Sequence, residues 1–143
     1  MSEKELQEKV MMYRVIEGRM EALIKQRDLF LNKIVELQNT VASIDEIANT
    51  KEDILFSIGS EAYSFGKASD NRKIIVEVGA GVALEKTFDE AKDTIGKRQD
   101  DIASAVNEIQ QDIQKLSFAL DELEPEIQSL MHEGHAHTEQ EAG

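Results

Sequence analysis

Residues 6–48, LQEKVMMYRVIEGRMEALIKQRDLFLNKIVELQNTVASIDEIA, decide the fold. Stepping from Leu6 by alternating threes and fours meets Lys9, Tyr13, Ile16, Met20, Leu23, Arg27, Phe30, Ile34, Leu37, Val41, Ile44 and Ala48. All but Lys9 and Arg27 are apolar. A 3-4 repeat held over about six heptads marks a long helix built to lie along another helix. Ser2 with Glu5 is a capping-box pattern ahead of the repeat, and Asn49 with Thr50 is a stop signal. A helix over about 3–49 follows, roughly 65–70 Å long at the α-helical rise. Ser43 with Glu46 repeats the capping pattern and marks the last turns as a candidate separate short helix.

A second seam closes the chain. Thr87 with Glu90 caps it, and its apolar positions are Phe88, Ala91, Ile95, Ile102, Ala105, Ile109, Ile113, Leu116, Leu120, Leu123, Ile127 and Leu130, with Arg98 in one slot. Two successive steps of four between Ala105 and Ile113 form a stutter, which locally unwinds a coiled coil. Pro125 kinks or weakens the last turns. The helix is expected over about 88–132, and the small, polar residues 133–143 as a disordered tail.

Residues 53–86 read as strand, turn, strand, twice over. Ile54 to Ile58 and Ala62 to Lys67 flank Gly59-Ser60; Lys73 to Val78 and Gly81 to Lys86 flank Gly79-Ala80; Asp70-Asn71 separates the pairs. A glycine and one further residue between β-branched runs fit a two-residue type II′ hairpin. The fold class is therefore mainly α with a small β component: a long antiparallel helical coiled-coil hairpin joined by two β-hairpins, one unit over 1–132. Isolated hairpins are marginal in water. Their edges are expected to pair with each other and with hairpins of other subunits.

Folding back opposes charges. After Lys115 come seven carboxylates and no Lys or Arg. An antiparallel arrangement sets Asp121, Glu122, Glu124, Glu126 and Glu133 near Lys4, Lys9, Arg14 and Arg19, and places Arg27 opposite Asp112 at the level of the stutter.

Composition removes several function classes. A net charge of −13 without a basic stripe leaves no nucleic-acid backbone partner, and no polybasic patch offers a membrane surface. The absence of cysteine excludes disulfides, thiolate metal sites and Cys nucleophiles. No apolar run reaches the length of a membrane span, and Met1 to Glu5 lack a secretory pattern, so the expected location is cytoplasmic. His132, His135 and His137 have imidazoles within metal-binding spacing, but the surrounding segment offers no ordered second shell. Gly79-Ala80-Gly81 precedes a strand, not the helix a phosphate loop requires. Paired carboxylates such as Glu122 and Glu126 read as a solvated helix face. With no polar constellation converging on a cleft, neither an enzyme nor a cofactor is expected.

Some apolar residues lie off the seam. Val10, Met11 and Met12 occupy heptad positions e, f and g, Leu29 occupies c, and Met131 adjoins Leu130. Exposed apolar groups near a free helix tip mark a binding surface, and methionine adapts to irregular partners.

Residues 78–91, VGAGVALEKTFDEA, resemble the second hairpin and following helix of the alpha class of the prefoldin family. The two-hairpin middle and the Pro125-bearing segment Leu123 to Leu130 are similar to that class as well. Phe56-Ser57-Ile58-Gly59 stands where the family often carries a proline. The resemblance implies an ATP-independent chaperone in which two alpha and four beta subunits join by their hairpins into a β-barrel platform. It further implies coiled-coil tips that hold non-native client proteins and pass them to a group II chaperonin. On this sequence the tip residues would be Leu6, Val10, Met11, Met12, Tyr13, Leu123, Ile127, Leu130 and Met131. The assembly residues would be Ile54, Phe56, Ile58, Tyr63, Phe65, Ile75, Val76, Val78, Val82 and Leu84. Two rivals use the same features: a self-assembling, filament-forming gamma-type prefoldin, and a coiled-coil structural adaptor for one folded helix.

Overall fold

The computed structural model describes the backbone of residues 2–68 and 72–142, and side chains over 3–68 and 72–134. The expected turn at Asp70-Asn71, the capping side chain of Ser2, and His135 and His137 lie outside the described residues. The elements run α1 (Ser2–Asn49), β1 (Ile54–Gly59), β2 (Ala62–Gly66), β3 (Lys73–Gly79), β4 (Val82–Thr87) and α2 (Phe88–Ala142). The mainly α class with two antiparallel β-hairpins is as the sequence implies. Two compact units divide the chain: Met1–Leu31 with Ser104–Gly143, and Asn32–Ala103.

In the first unit the α1 and α2 segments run antiparallel, with Lys9 Nζ 2.6 Å from Glu126 Oε2. Burial follows the 3-4 pattern: Leu6, Lys9, Tyr13, Ile16, Met20, Leu23, Arg27 and Phe30 are all half-buried. The two charged slots thus belong to the seam. Each buries its aliphatic stem and extends its polar head across to the partner helix. Of the expected cross-helix ion pairs, Lys9–Glu126 is the one that forms among the described residues. Arg27 does not meet Asp112. It donates to Gln110 Oε1 at 3.4 Å and to its neighbour Asp28. Gln110 and Asp112 flank the Ile109–Ile113 line on opposite sides, and the guanidinium lies on the Gln110 side. Ile109, at the centre of the stutter, is the one buried apolar residue of this unit among those described.

The second unit holds the tightest core. Ile44 of α1, Val76 of β3 and Ala91 of α2 are buried together, with Ile74 and Phe88 packed against them. Lys92 Nζ lies 2.8 Å from Asp45 Oδ1. The last turn of α1 carries no basic residue of its own. Arg72 serves instead: its Nη2 donates to the Ala48 carbonyl at 3.1 Å, and its guanidinium sits 5.5 Å from the Phe88 ring centroid. A cation there satisfies an orphan carbonyl and opposes the negative helix end. Arg98, the charged slot of the α2 seam, donates through Nη2 to the backbone carbonyl of Glu77.

Four local expectations change. First, α1 is continuous to Asn49, because Ser43 Oγ donates back to the Asn39 carbonyl instead of capping a new helix. Second, the hairpin loops are Ser60-Glu61 and Ala80-Gly81, and all four residues have positive φ (50°, 62°, 51° and 75°). That is type I′, not II′, and its twist matches the right-handed twist of the flanking strands. Gly59 and Gly79 sit at matching register shifts just before these loops. Third, the hairpins form two separate two-stranded sheets and do not pair with each other. Fourth, the α2 backbone stays helical to Ala142, past both Pro125 and the point where a disordered tail was expected. Pro125 still withholds the N–H that would meet the Asp121 carbonyl. The start of α2 is as expected, with Glu90 N–H donating to Thr87 Oγ1 at 3.2 Å.

Candidate functional site

Two apolar surfaces stand open, one in each unit. In the second unit the β1–β2 register pairs Leu55 with Phe65 and Ser57 with Tyr63 on one face, and Phe56 with Ser64 on the other. Phe65 is 76% exposed and Ile58 70%, and Leu55 and Tyr63 are also exposed. The Phe56 ring lies across Gly66, where an added Cβ would come within 2.8 Å of Phe56 Cε2. On β3–β4, Ile75 is 70% exposed, and Val78, Val82 and Leu84 are exposed as well. So much apolar surface on two-stranded sheets with unpaired edges is a template for another chain.

Val76 differs from the other proposed assembly residues. It is buried in the chain's own core with Ile44 and Ala91, because strand alternation turns it inward while Ile75 points out. It anchors β3 on the helices and is withdrawn from any partner surface. Ile54 is half-buried. Leu55 was missing from the expected set. Its signal was its place opposite Phe65 on a period-two face.

In the first unit the expected tip residues separate into two groups. Leu6, Val10, Tyr13, Leu123, Ile127 and Leu130 are half-buried along the α1–α2 seam. Met11 (69%), Met12 and Met131 are exposed. The seam residues hold the helices together while the methionines face outward. Exposed Val15 and Phe118 had not been singled out. Val15 follows Met11 by four and Phe118 follows Gln114 by four, a helical spacing that gives each a common face with its neighbour.

Electrostatics at the two surfaces are simple. The hydrogen bond to Glu126 holds the Lys9 ammonium pKa above the ordinary lysine value. The hydrogen bond to Asp45, and the charge of that carboxylate, do the same for Lys92. Among the described residues no group of three or more His, Asp or Glu side chains is placed to hold a metal ion. No described helix is long and apolar enough to cross a membrane.

Comparison with known proteins places these surfaces in a family context. The family described as Prefoldin subunit matches residues 16–133. Prefoldin subunit alpha of Pyrococcus horikoshii is 31% identical over 127 residues, covering 87% of this chain and 81% of the relative. Prefoldin subunit alpha of Nitrosopumilus maritimus is 27% identical over 132 residues, covering 92% and 91%. Among solved structures, filamentous prefoldin from Methanocaldococcus jannaschii superimposes with a TM-score of 0.71 at 22% identity, covering 84% of this chain and 98% of that one. The prefoldin beta subunit from Thermococcus strain KS-1 gives a TM-score of 0.60 at 17% identity, covering 87% and 90%. At these identities the two structures speak to the fold alone.

Proposed function

We propose, from the premise that this chain belongs to the prefoldin family of chaperone subunits and falls with its alpha class, that it is an ATP-independent holder of non-native proteins. In this reading two copies join four beta-class subunits through the hairpin surfaces carrying Leu55, Phe65, Ile75 and Val78. Clients are held at the helix ends by Met11, Met12 and Met131 and delivered to a group II chaperonin. The observation that carries the reading is the exposure of these three methionines on the paired-helix unit. Each contact would be weak and releasable, and several tips acting on one client multiply the grip. The seam residues Leu6, Val10, Tyr13, Leu123, Ile127 and Leu130 support the tip and reach a client only where the end of the seam opens.

The test mixes this chain with a beta-class subunit, measures the mass of the assembly, and follows light scattering of a denatured enzyme diluted into it. The expected result is a discrete hetero-oligomer that delays aggregation. Replacing Met11, Met12 and Met131 by Ser should weaken that protection and leave the mass unchanged. Full protection by the triple variant removes the tip assignment. Open-ended growth of the chain alone, seen by electron microscopy, replaces the closed hetero-oligomer with a filament.

A further inference from the structure

The two hairpins are held in place very differently. β3–β4 is tied to the helices. Val76 is buried with Ile44 and Ala91, Ile74 packs against them, and the Glu77 carbonyl accepts from Arg98. Lys73 Nζ lies 3.8 Å from Glu85 Oε2 across the strands, and β4 runs straight into α2 at Phe88. β1–β2 has no such tie. Only Ile54 and Gly66, at its base, are half-buried; every other residue of its two strands is exposed. Among the described residues its hydrogen bonds stay within it. They are the strand ladder, Gly59 N–H to Ser57 Oγ, and Ser64 Oγ–H to the Phe65 carbonyl. The Phe56 ring covers Gly66 of the same hairpin.

The loops differ in the same sense. At Ala80-Gly81 one of the two left-handed positions is a glycine, whereas at Ser60-Glu61 neither is. A side chain in that region crowds its own backbone, and neither Ser nor Glu belongs to the types that adopt it readily. A two-stranded hairpin without a third strand or a supporting helix is marginal in water. β1–β2 thus combines the less favourable turn with the absence of support.

We propose that β1–β2 is the conditional half of the assembly surface: it opens while β3–β4 and the helices stay folded, and strand pairing with a beta-class subunit holds it closed. The occupant rests on the proposed assembly reading; the opening does not. Opening breaks up the face that carries Leu55, Phe65 and Tyr63. Affinity for the partner is therefore scaled by the fraction of copies that are closed. Ser60 and Glu61 set that fraction from the loop, outside the paired strands.

Hydrogen–deuterium exchange of the full-length chain, diluted until ultracentrifugation shows a monomer, reads the two hairpins separately. Corrected for intrinsic amide rates, residues 54–66 should exchange about tenfold or more faster than residues 73–87. Ser60→Asn with Glu61→Gly supplies the residues that a type I′ loop favours. That variant should slow exchange over 54–66 about fivefold or more, leave 73–87 unchanged, and tighten assembly with the beta-class subunit. In the hetero-oligomer, protection over 54–66 should rise to that over 73–87. Equal exchange of the two hairpins in the monomer, or a loop variant without effect on 54–66, overturns the proposal. So does fast exchange over 54–66 that persists in a hetero-oligomer of confirmed mass. A mixture that forms no hetero-oligomer overturns the assembly reading instead, and the opening is then decided by the monomer alone.

Discussion

Lys9 and Arg27 look like faults in an apolar line, yet each is a working member of it. Their stems are half-buried, and their heads meet Glu126 and Gln110. Arg98 repeats the device in α2, spending a seam slot on the Glu77 carbonyl. The hydrogen bonds to Glu126 and Asp45 raise the pKa values of Lys9 and Lys92 in the folded state. A raised lysine pKa contributes stability that is fully present below the ordinary lysine value and is lost as pH rises through the folded value. Thermal melts taken across the alkaline range should therefore show a fall in stability that Lys9→Met with Lys92→Met largely removes. An equal alkaline fall in the double variant would place its origin elsewhere. Both ion pairs remain accessible to solvent, so salt should shrink the effect.

At the scale of elements, α2 begins where Thr87 accepts from the Glu90 amide. Thr87→Ala should cost about 1 kcal/mol in chemical denaturation, the usual cost of losing a side-chain N-cap. Ile75→Lys or Val78→Lys should abolish assembly with beta-class subunits while leaving the core of Ile44, Val76 and Ala91 in place; analytical ultracentrifugation reads the outcome. Val76→Lys should instead unfold the second unit, because it buries an unpaired charge. Both helices and all four strands were legible because each follows a single period, 3.5 for the seams and 2 for the strands. What sequence did not convey was set by three-dimensional context. The type I′ loops place Ser60, Glu61 and Ala80 at positive φ, a conformation their residue types do not announce. The inward turn of Val76 depends on which face of β3 meets the helices. The partner of Arg27 depends on which flank of α2 lies closer. The exposed methionines are legible as residues off the heptad seam, and Phe118 obeys the same rule.

For the whole molecule, a net charge of −13 and a surface rich in carboxylates favour solubility, which the proposed holding of non-native clients would require. On the proposed reading, the second unit's strand surface serves adhesion between subunits and the first unit's methionines serve adhesion to clients. The two are separable by substitution, since methionine changes in the first unit and strand changes in the second touch no common residue. A last consequence concerns supply. Leu55, Phe65 and Ile75 are bare on a chain taken by itself, so a copy synthesised without a companion carries an aggregation liability. If the proposed hetero-oligomer forms, matched synthesis of its subunits, or removal of the surplus, would keep those faces covered.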